Sequence, residues 1–372
     1  MNTPLKWYAY GHDFGNAEIG GVVAYKDQIL SRSIPTAFAK VDTSAMKSLG
    51  VEMENAYVIR MYGEETAYAV GELALQQAIE SYNGRGDMQR YASHFSLRGL
   101  LTVASLLIPD SVFGLYVVAG LPAETYIKNV TLRSEIKAAL DGTHLFNFNG
   151  QMRSVTVEVA VVVMEGAGAL IAYGERKGGK TMESAVVDLG GRTTDLYVAR
   201  GQVPVTDFCK GKPLGVETAT QLLIDLCERK YDRTLSLLEA REIMHSFASN
   251  GQSAFPDISV YGHSIAGENL ERLASEAVTQ IGSEIVSFVS SAWRQNDRGA
   301  VAASFRPVLC IGGGVYYFYA AMKKRIPHLS RPEDPIHANA LGYCTLASRL
   351  LQRKVATTVV VNGVSVNGLS RV

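Results

Sequence analysis

The sequence predicts an α/β protein with two duplicated domains, and two hairpin segments and one glycine-rich segment support this prediction. Residues 184–198 read as an apolar strand that reaches Asp188, a glycine turn and a returning strand. Residues 7–34 contain a similar hairpin around Asp13. A pattern that recurs far along the chain indicates an internal duplication. Residues 307–316 add a third segment of strand, three glycines and helix.

The turn that follows Asp188 has the composition of a phosphate site. Glycines at positions 190 and 191 allow backbone N–H groups to approach a ligand closely, and successive N–H groups in a turn form a concavity that binds anions. A carboxylate such as Asp188 faces phosphate only with a cation between them. Mg²⁺ keeps most of its waters and needs one or two carboxylates, so the turn predicts hydrated Mg²⁺ beside phosphate.

Length and composition predict a globular protein of two ordinary domains. The chain has 372 residues, of which 47% are hydrophobic and 19% charged. Thirty-six basic residues balance 36 acidic ones, so no overall field attracts nucleic acid or an anionic membrane. The four cysteines are scattered without a Cys-x-x-Cys pair, which argues against zinc and disulfides. We expect a soluble, cytoplasmic protein, since neither a signal peptide nor a membrane span is evident.

Hydrophobic patterning places the remaining elements. The predicted strands are 7–11, 19–25, 28–34, 56–61, 114–119, 154–164, 185–188 and 307–311, and the predicted helices are 66–80, 96–108, 215–231, 235–246, 266–293 and 338–353. Residues 82–87 read as a polar loop. For the valine-rich tail 355–372, an added hairpin, an assembly contact and a disordered segment stay open.

Three ordered motifs resemble the actin-like ATPase superfamily. The run from Asp188 to Asp195, Asp-x-Gly-Gly-x-Thr-x-Asp, resembles its second phosphate motif, and the Asp13 hairpin and glycines 312–314 occupy the places of its other two. Gly-Leu-Pro at 120–122 and Asn-Ala-x-Gly-Tyr at 339–343 are similar to bacterial plasmid-partitioning actin homologues, the ParM-like proteins. The resemblance covers about residues 5–353.

The resemblance implies an actin-like fold, in which two α/β domains with ribonuclease H-like cores flank a nucleotide cleft. The first domain would comprise 1–165 and 339–372, with a small subdomain inserted at about 31–89. The second would comprise 166–338, with a small subdomain at about 215–300. The implied activity is ATP hydrolysis coupled to assembly of dynamic filaments for plasmid or DNA segregation. Implied partners are other copies of the chain and a DNA-binding adaptor, without direct contact to nucleic acid or membrane.

The resemblance also implies the site residues. ATP, with GTP as an open alternative, would be bound by Phe14, Gly15, Asn16, Gly190, Gly191, Arg192, Thr193, Glu217, Gly312, Gly313, Gly314 and Val315, and Asp13 and Asp188 would hold Mg²⁺ through water. Many relatives carry a lysine or hydroxyl residue where this chain has residues 16–19, Asn-Ala-Glu-Ile.

Two glutamates have roles implied by position. Glu165 follows the predicted strand 154–164 and would orient or deprotonate the water that attacks the γ-phosphate. Glu217 would accept hydrogen bonds from the ribose hydroxyls. The alternative for each is a carboxylate that stabilises the start of a helix, by about 0.3–1 kcal/mol.

Three other functions stay open. They are a small-molecule kinase of the same fold, a non-filamentous chaperone-type ATPase, and a scaffold that binds nucleotide without hydrolysis. Residues 174–181 also match the P-loop pattern G-x-x-x-x-G-K-[ST]. That motif functions between a strand and a following helix, and here the predicted order is reversed, so we interpret it as an exposed basic turn.

Overall fold

A computed structural model describes residues 5–42, 56–77, 88–177, 183–201, 203–249, 253–294 and 300–361. The chain forms two compact units. Unit 1 comprises Met1–Leu121, Asn129–Val163 and Asn339–Val372, and unit 2 comprises Pro122–Lys128 and Met164–Ala338. Residues 122–128 therefore belong with unit 2, although the sequence analysis assigns all of 1–165 to one domain.

Unit 1 is built on a nine-stranded sheet. Its strands are β1 (Trp7–Asp13), β2 (Glu18–Tyr25), β3 (Gln28–Pro35), β4 (Phe38–Val41), β5 (Tyr57–Met61), β6 (Ala67–Val70), β7 (Val112–Leu121), β8 (Gly142–Phe148) and β9 (Gln151–Met164). They lie in the order β3-β2-β1-β7-β9-β8-β5-β6-β4. Strand β1 pairs antiparallel with β2 and parallel with β7, so β1 is a central strand.

The helices of the described residues lie between or after these strands. They are α1 (Glu72–Gln77), α2 (His94–Leu107), α3 (Ala123–Lys128), α4 (Leu132–Leu140), α5 (Ala167–Lys177), α6 (Val216–Tyr231), α7 (Leu237–Ala248), α8 (Gly267–Ala292), α9 (Val315–Arg325) and α10 (Ala338–Val361). Short 3₁₀ turns occur at Met88–Ala92 and Thr206–Phe208. Helix α10 packs so closely on β1 that a Cβ at Gly11 would lie 1.9 Å from the Ala340 carbonyl oxygen.

Unit 2 repeats the strand order of unit 1. Its strands are β10 (Glu183–Leu189), β11 (Thr194–Arg200), β12 (Val203–Pro204), β13 (Lys210–Lys212), β14 (Ser259–Val260), β15 (His263–Ser264), β16 (Val308–Ile311) and β17 (Leu329–Ser330). The main sheet has the order β12-β11-β10-β16-β17, the counterpart of β3-β2-β1-β7-β9. Because β10 also pairs antiparallel with β11 and parallel with β16, the predicted duplication is confirmed at the level of topology.

The core of unit 2 lies between this sheet and its helices. In α8, Leu270, Leu273, Ala277 and Ile281 are buried, at the three- and four-residue spacing of an amphipathic helix. Helices α6, α7 and α9 contribute buried side chains to the same cluster. Six leucine, isoleucine and valine side chains of α8 are buried on this face. At about 1.5–3 kcal/mol each, their burial stabilises α8 more than its intrinsic helix propensity does.

Two sequence predictions of secondary structure are wrong. The helix predicted over 66–80 is replaced at its start by β6, which pairs with β4 and β5, and Gly71 at φ +77° separates β6 from α1. The alternation in Ala-Tyr-Ala-Val suits a strand, and sheet pairing outweighs helix propensity there. The hairpin considered for the tail is wrong for 355–361, because α10 continues to Val361. Extending an existing helix avoids a new nucleation step.

The other predicted elements are confirmed within a few residues of their bounds. The predicted polar loop 82–87 and tail residues 362–372 lie outside the described residues. Among the described helices, none combines the length and the apolar character that crossing a membrane requires.

Candidate functional site

The first candidate loop, residues 14–17, follows β1 and is held by side chains from outside the hairpin. Arg90 Nη2 donates a hydrogen bond of 3.0 Å to the Phe14 carbonyl, and Thr36 Oγ1 donates one of 2.8 Å to the Gly15 carbonyl. The Thr36 amide donates to the Ala17 carbonyl at 2.8 Å. Three loop carbonyls are thereby fixed within unit 1. At the start of this loop, half-buried Asp13 lies opposite Gly120 in the β1–β7 register.

A row of buried aromatic side chains on β1 packs against the first loop. His12 is fully buried, with its ring centroid 6.0 Å from that of Tyr10 and 4.5 Å from that of Phe14. Burial lowers the pKa of His12 to about 3, so the imidazole is neutral near pH 7. Since side chains alternate along a strand, His12 lies on one face of β1 and Asp13 on the other.

The second candidate loop, residues 190–193, follows β10 and is held by backbone. The Gly190 amide donates a hydrogen bond of 2.8 Å to the Thr193 carbonyl, which closes the turn. The amides of Val216 and Glu217 at the start of α6 donate to the carbonyls of Gly190 and Gly191, at 3.3 and 2.7 Å. The Gly190 amide, which the sequence analysis assigns to phosphate, is thus engaged within the turn.

An ion pair joins two of the predicted nucleotide residues. Arg192 Nε donates to Glu217 Oε2 at 2.9 Å, and Arg241 Nη2 of α7 lies 3.7 Å from Glu217 Oε1. The side chains of Arg192 and Glu217 are 16% and 20% exposed, so the pair is partly desolvated. The sequence pattern predicts both residues as nucleotide ligands, but it indicates neither this contact nor the presence of Arg241 beside it.

Asp195 is the second residue of β11 and is a buried acid beside the second loop. It pairs with Asp188 in the hairpin register, and it accepts hydrogen bonds from the Thr193 side chain and the Ala123 amide. Burial, and to a smaller extent the nearby Glu124 carboxylate, raise the pKa of Asp195 to about 6 against the lowering effect of these hydrogen bonds. One side chain therefore joins the second loop to α3.

The glycine segment 312–314 packs directly against Asp188. A Cβ at Gly312 would lie 2.5 Å from Asp188 Oδ1, and Gly312 has φ +84°, which only glycine adopts readily. A Cβ at Gly314 would lie 2.7 Å from the Leu189 carbonyl oxygen. Gly313 differs, since no atom of the described residues, apart from its chain neighbours, lies within 4 Å of the position of its Cβ. Close packing therefore requires glycine at positions 312 and 314, whereas Gly313 adjoins open space. Val315 is buried and begins α9.

Glu165 lies in the turn between β9 and α5, two residues before the helix begins. Glu165 is largely buried, with 9% of its surface exposed. On one side Met164 packs in a cluster with Val186 and Ile311, and on the other a Cβ at Gly166 would lie 2.5 Å from Tyr197 Cβ. Contacts with β10, β11 and β16 thus fix both neighbours of Glu165.

The described residues contain no cluster of three or more histidine, cysteine, aspartate or glutamate side chains that could hold a metal by itself. The prediction concerns Mg²⁺, which needs only one or two carboxylates. The Asp188 carboxylate beside Gly312, next to the open space at Gly313, fits a hydrated cation with a phosphate ligand.

Comparison with known proteins decides the fold. Residues 11–168 match the family model of the N-terminal domain of actin-like proteins. The structure of the archaeal actin homologue Ta0583 has a TM-score of 0.72 at 20% identity, with 91% of this chain and 99% of that chain covered. A 15-stranded ParM filament from Clostridium botulinum has a TM-score of 0.73 at 20% identity, with coverage of 93% and 100%. The chain has the actin-like fold.

A third structure with this fold carries a nucleotide. Bacillus thuringiensis ParM with AMPPNP has a TM-score of 0.65 at 14% identity, and 94% of this chain and 99% of that chain are covered. At these identities the likeness is one of fold. No curated protein sequence matches the chain. The resemblance stated from the motifs, to actin-like and ParM-like proteins, is confirmed.

The actin-like fold gathers the predicted residues of each unit. In unit 2, Glu217 contacts Gly191 and Arg192, which is 25 residues earlier in sequence. Gly312 packs against Asp188, which is 124 residues earlier in sequence. Asp13 and residues 14–16 form the loop of unit 1. Sequence reasoning missed Arg90 and Thr36, whose side chains hold the first loop. Thr36 is a polar residue among apolar neighbours, but polarity does not specify a partner, and Arg90 follows the polar residue Gln89 and carries no such signal.

The P-loop pattern does not form a phosphate loop at its first residues. Gly174 to Lys177 belong to α5, whereas a P-loop needs these positions in a turn after a strand. Residues 178–181 lie outside the described residues.

Proposed function

We propose that this actin-like protein binds ATP with Mg²⁺, hydrolyses it and assembles into filaments of its own copies. The observation that carries the proposal is the contact of the glycine segment with Asp188 in unit 2, where a Cβ at Gly312 would lie 2.5 Å from the carboxylate oxygen. The Asp188 carboxylate, the glycine turn and the open space at Gly313 together suit a phosphate chain with a bound cation. Asp13 begins a topologically equivalent loop in unit 1.

In this proposal each residue has a distinct task. Asp13 and Asp188 hold Mg²⁺ through water, and the bound cation would neutralise charge on the phosphates. Backbone amides in residues 14–16 and 191–193, together with the segment 312–315, position the nucleotide. Glu217 accepts hydrogen bonds from the ribose hydroxyls.

Glu165 is the proposed catalytic carboxylate. It orients the attacking water and accepts its proton, a contribution worth about 10²–10⁴-fold in rate for a general base. Its burial suits this task, because both neighbouring residues are packed and the carboxylate position is therefore restricted.

We also propose that the filaments move DNA, such as a plasmid, in the cytoplasm through a DNA-binding adaptor. The likeness to ParM structures, including a filament, supports this role. The balance of 36 basic and 36 acidic residues supports an adaptor over direct contact with DNA.

The test is right-angle light scattering with simultaneous measurement of phosphate release after addition of ATP and Mg²⁺. We expect scattering to rise above a critical protein concentration and to fall as phosphate appears. Glu165→Gln should retain assembly but slow phosphate release by at least 100-fold. Glu158→Gln is the matched control, because it removes a carboxylate of β9, the strand that precedes Glu165, where Glu158 forms a surface ion pair with Lys354.

Each alternative outcome has a clear meaning. Steady phosphate release without scattering at high protein concentration would reject filament formation and favour a kinase or chaperone-type ATPase. Unchanged turnover in Glu165→Gln would reject the role of that carboxylate. Nucleotide binding without turnover in the wild type would favour a scaffold.

A further inference from the structure

Arg192 occupies a turn that the proposed function assigns to phosphate, yet its side chain points to a protein carboxylate. An arginine in a phosphate turn is expected to form hydrogen bonds with phosphate oxygens, since its guanidinium suits them in charge and geometry. Instead, Arg192 Nε donates to Glu217 Oε2 at 2.9 Å. The guanidinium is directed toward α6, and the contact spans 25 residues of sequence.

The backbone amides at the start of α6 already form hydrogen bonds within the protein. Its first four amides, those of residues 216–219, donate to the carbonyls of Gly190, Gly191 and Gly215 at 2.7–3.4 Å. The Glu217 carboxylate lies in the same first turn, where the positive end of the helix dipole stabilises it. An incoming anion therefore finds neither open amides nor favourable charge at the start of α6.

The charges around Glu217 form a bridge between three elements. Glu217 belongs to α6, Arg192 to the loop after β10, and Arg241 to α7. The contact of Arg241 is longer, at 3.7 Å, so Arg192 is the stronger partner. At 16% and 20% exposure, the Arg192–Glu217 pair is screened less than a surface ion pair.

We propose that Arg192 is a positioning residue, which acts on nucleotide binding through Glu217 by fixing the Glu217 carboxylate, and which does not contact the phosphates. This inference rests on the proposed function, since it concerns binding of ATP. Loss of Arg192 removes the restraint on Glu217, whereas the backbone hydrogen bonds of the turn stay in place. Binding should therefore weaken by a similar factor for nucleotides with one, two or three phosphates.

The test is a double-mutant cycle on nucleotide affinity, measured by calorimetric titration with ATP, ADP and AMP in the presence of Mg²⁺. We expect Arg192→Met and Glu217→Gln each to weaken ATP binding about 10-fold, and the double variant to be no weaker than about 10-fold, because the two residues act as a unit. The ratio of AMP to ATP dissociation constants should equal that of the wild type. Arg229→Met is the control, since this exposed arginine of α6 bonds only to the Asp225 carbonyl among the contacts described.

A direct phosphate contact gives a different result. The two losses would then multiply to about 100-fold in the double variant, and ATP would lose more affinity than AMP, which would overturn the inference. If Arg192→Met does not fold, Arg192→Lys takes its place in the same cycle. A wild type that binds no ATP would overturn the proposed function as well, whereas multiplicative losses with normal wild-type binding would overturn this inference alone.

Discussion

The loops that begin at Asp13 and Asp188 have the same topology but different supports. Each follows a central strand with an antiparallel neighbour on one side and a parallel neighbour on the other. The first loop is held by the side chains of Arg90 and Thr36, which lie outside the hairpin. The second is held by backbone amides of α6. A duplicated backbone geometry has thus been stabilised in two ways.

The environments beneath the two loops also differ in charge chemistry. The first loop lies over a buried base, His12, whose pKa is lowered. The second adjoins a buried acid, Asp195, whose pKa is raised. In both cases burial disfavours the charged form. The two loops therefore share a topology but differ in the residues around them, and separate substitutions can test each loop.

The largest expected effect concerns the feature that the loops share, the aspartate. Asp13→Asn and Asp188→Asn should each weaken Mg²⁺-dependent nucleotide binding about 100-fold, because each removes a carboxylate that we propose to hold the hydrated cation. The measurement is nucleotide affinity as a function of Mg²⁺ concentration. Asp207→Asn, at a position outside both loops, serves as the control. If only one of the two variants lost nucleotide affinity, the aspartate of the other loop would have no part in Mg²⁺ binding, and the two loops would share only their backbone topology.

The glycine segment separates packing from ligand binding in the second loop. Gly312→Ala should destabilise the protein by about 2 kcal/mol, because φ +84° is strained for alanine and its Cβ would collide with Asp188. Gly313→Ala should leave thermal stability unchanged, since its Cβ meets open space, but should weaken ATP binding. Thermal unfolding with and without ATP measures both effects. Unchanged ATP affinity in Gly313→Ala would place the nucleotide elsewhere.

Because side chains hold the first loop and backbone amides hold the second, loss of an arginine near each loop should lower the free energy of unfolding by different amounts. Arg90→Met should lower the free energy of unfolding by about 2 kcal/mol, because it leaves the buried Phe14 carbonyl without its charged donor. Arg192→Met should lower it by about 1 kcal/mol or less, since the carbonyls of the second loop keep their backbone donors. Urea unfolding of the two variants provides the comparison. Equal losses would contradict the distinction between side-chain and backbone support.

The smallest effect per unit of the measured variable is a pH dependence of stability, which has opposite signs at the two loops. Between pH 6.5 and about 3 the unfolded chain protonates His12 and the folded chain does not, so His12 lowers stability as pH falls. Between pH 3.8 and about 6 folded Asp195 keeps a proton that the unfolded chain loses, so Asp195 lowers stability as pH rises.

Two variants that remove the titrating side chain separate the contributions of His12 and Asp195 to the pH dependence of stability. Relative to wild type, His12→Phe should reduce the loss of stability on acidification, and Asp195→Asn should reduce the loss as pH rises from 3.8 to 6. Each slope is at most about 1.4 kcal/mol per pH unit. Urea unfolding between pH 4 and 6.5 measures both slopes. A change of the same sign in both variants would contradict the assignment of opposite charge states.

The sequence alone determined the fold class, the duplication and the three motifs. Local patterns carry these features, because strand alternation, glycine turns and strand-end aspartates are set by residues close together in the chain. The same patterns located the ends of β1, β10 and β16 near Asp13, Asp188 and Gly312. Where local signals conflict, as in residues 66–71, propensity alone gave the wrong element.

Only the tertiary structure decided which residues support each loop. Arg90 is 76 residues from Phe14 in sequence, and Arg192 is 25 residues from Glu217. No local pattern specifies such partners, because a hydrogen bond depends on packing that brings distant elements together. The fold likewise decided that Gly312 contacts Asp188 and that Gly313 faces open space. Three adjacent glycines are chemically identical, and only their surroundings distinguish those required by packing from the one that leaves room for a ligand.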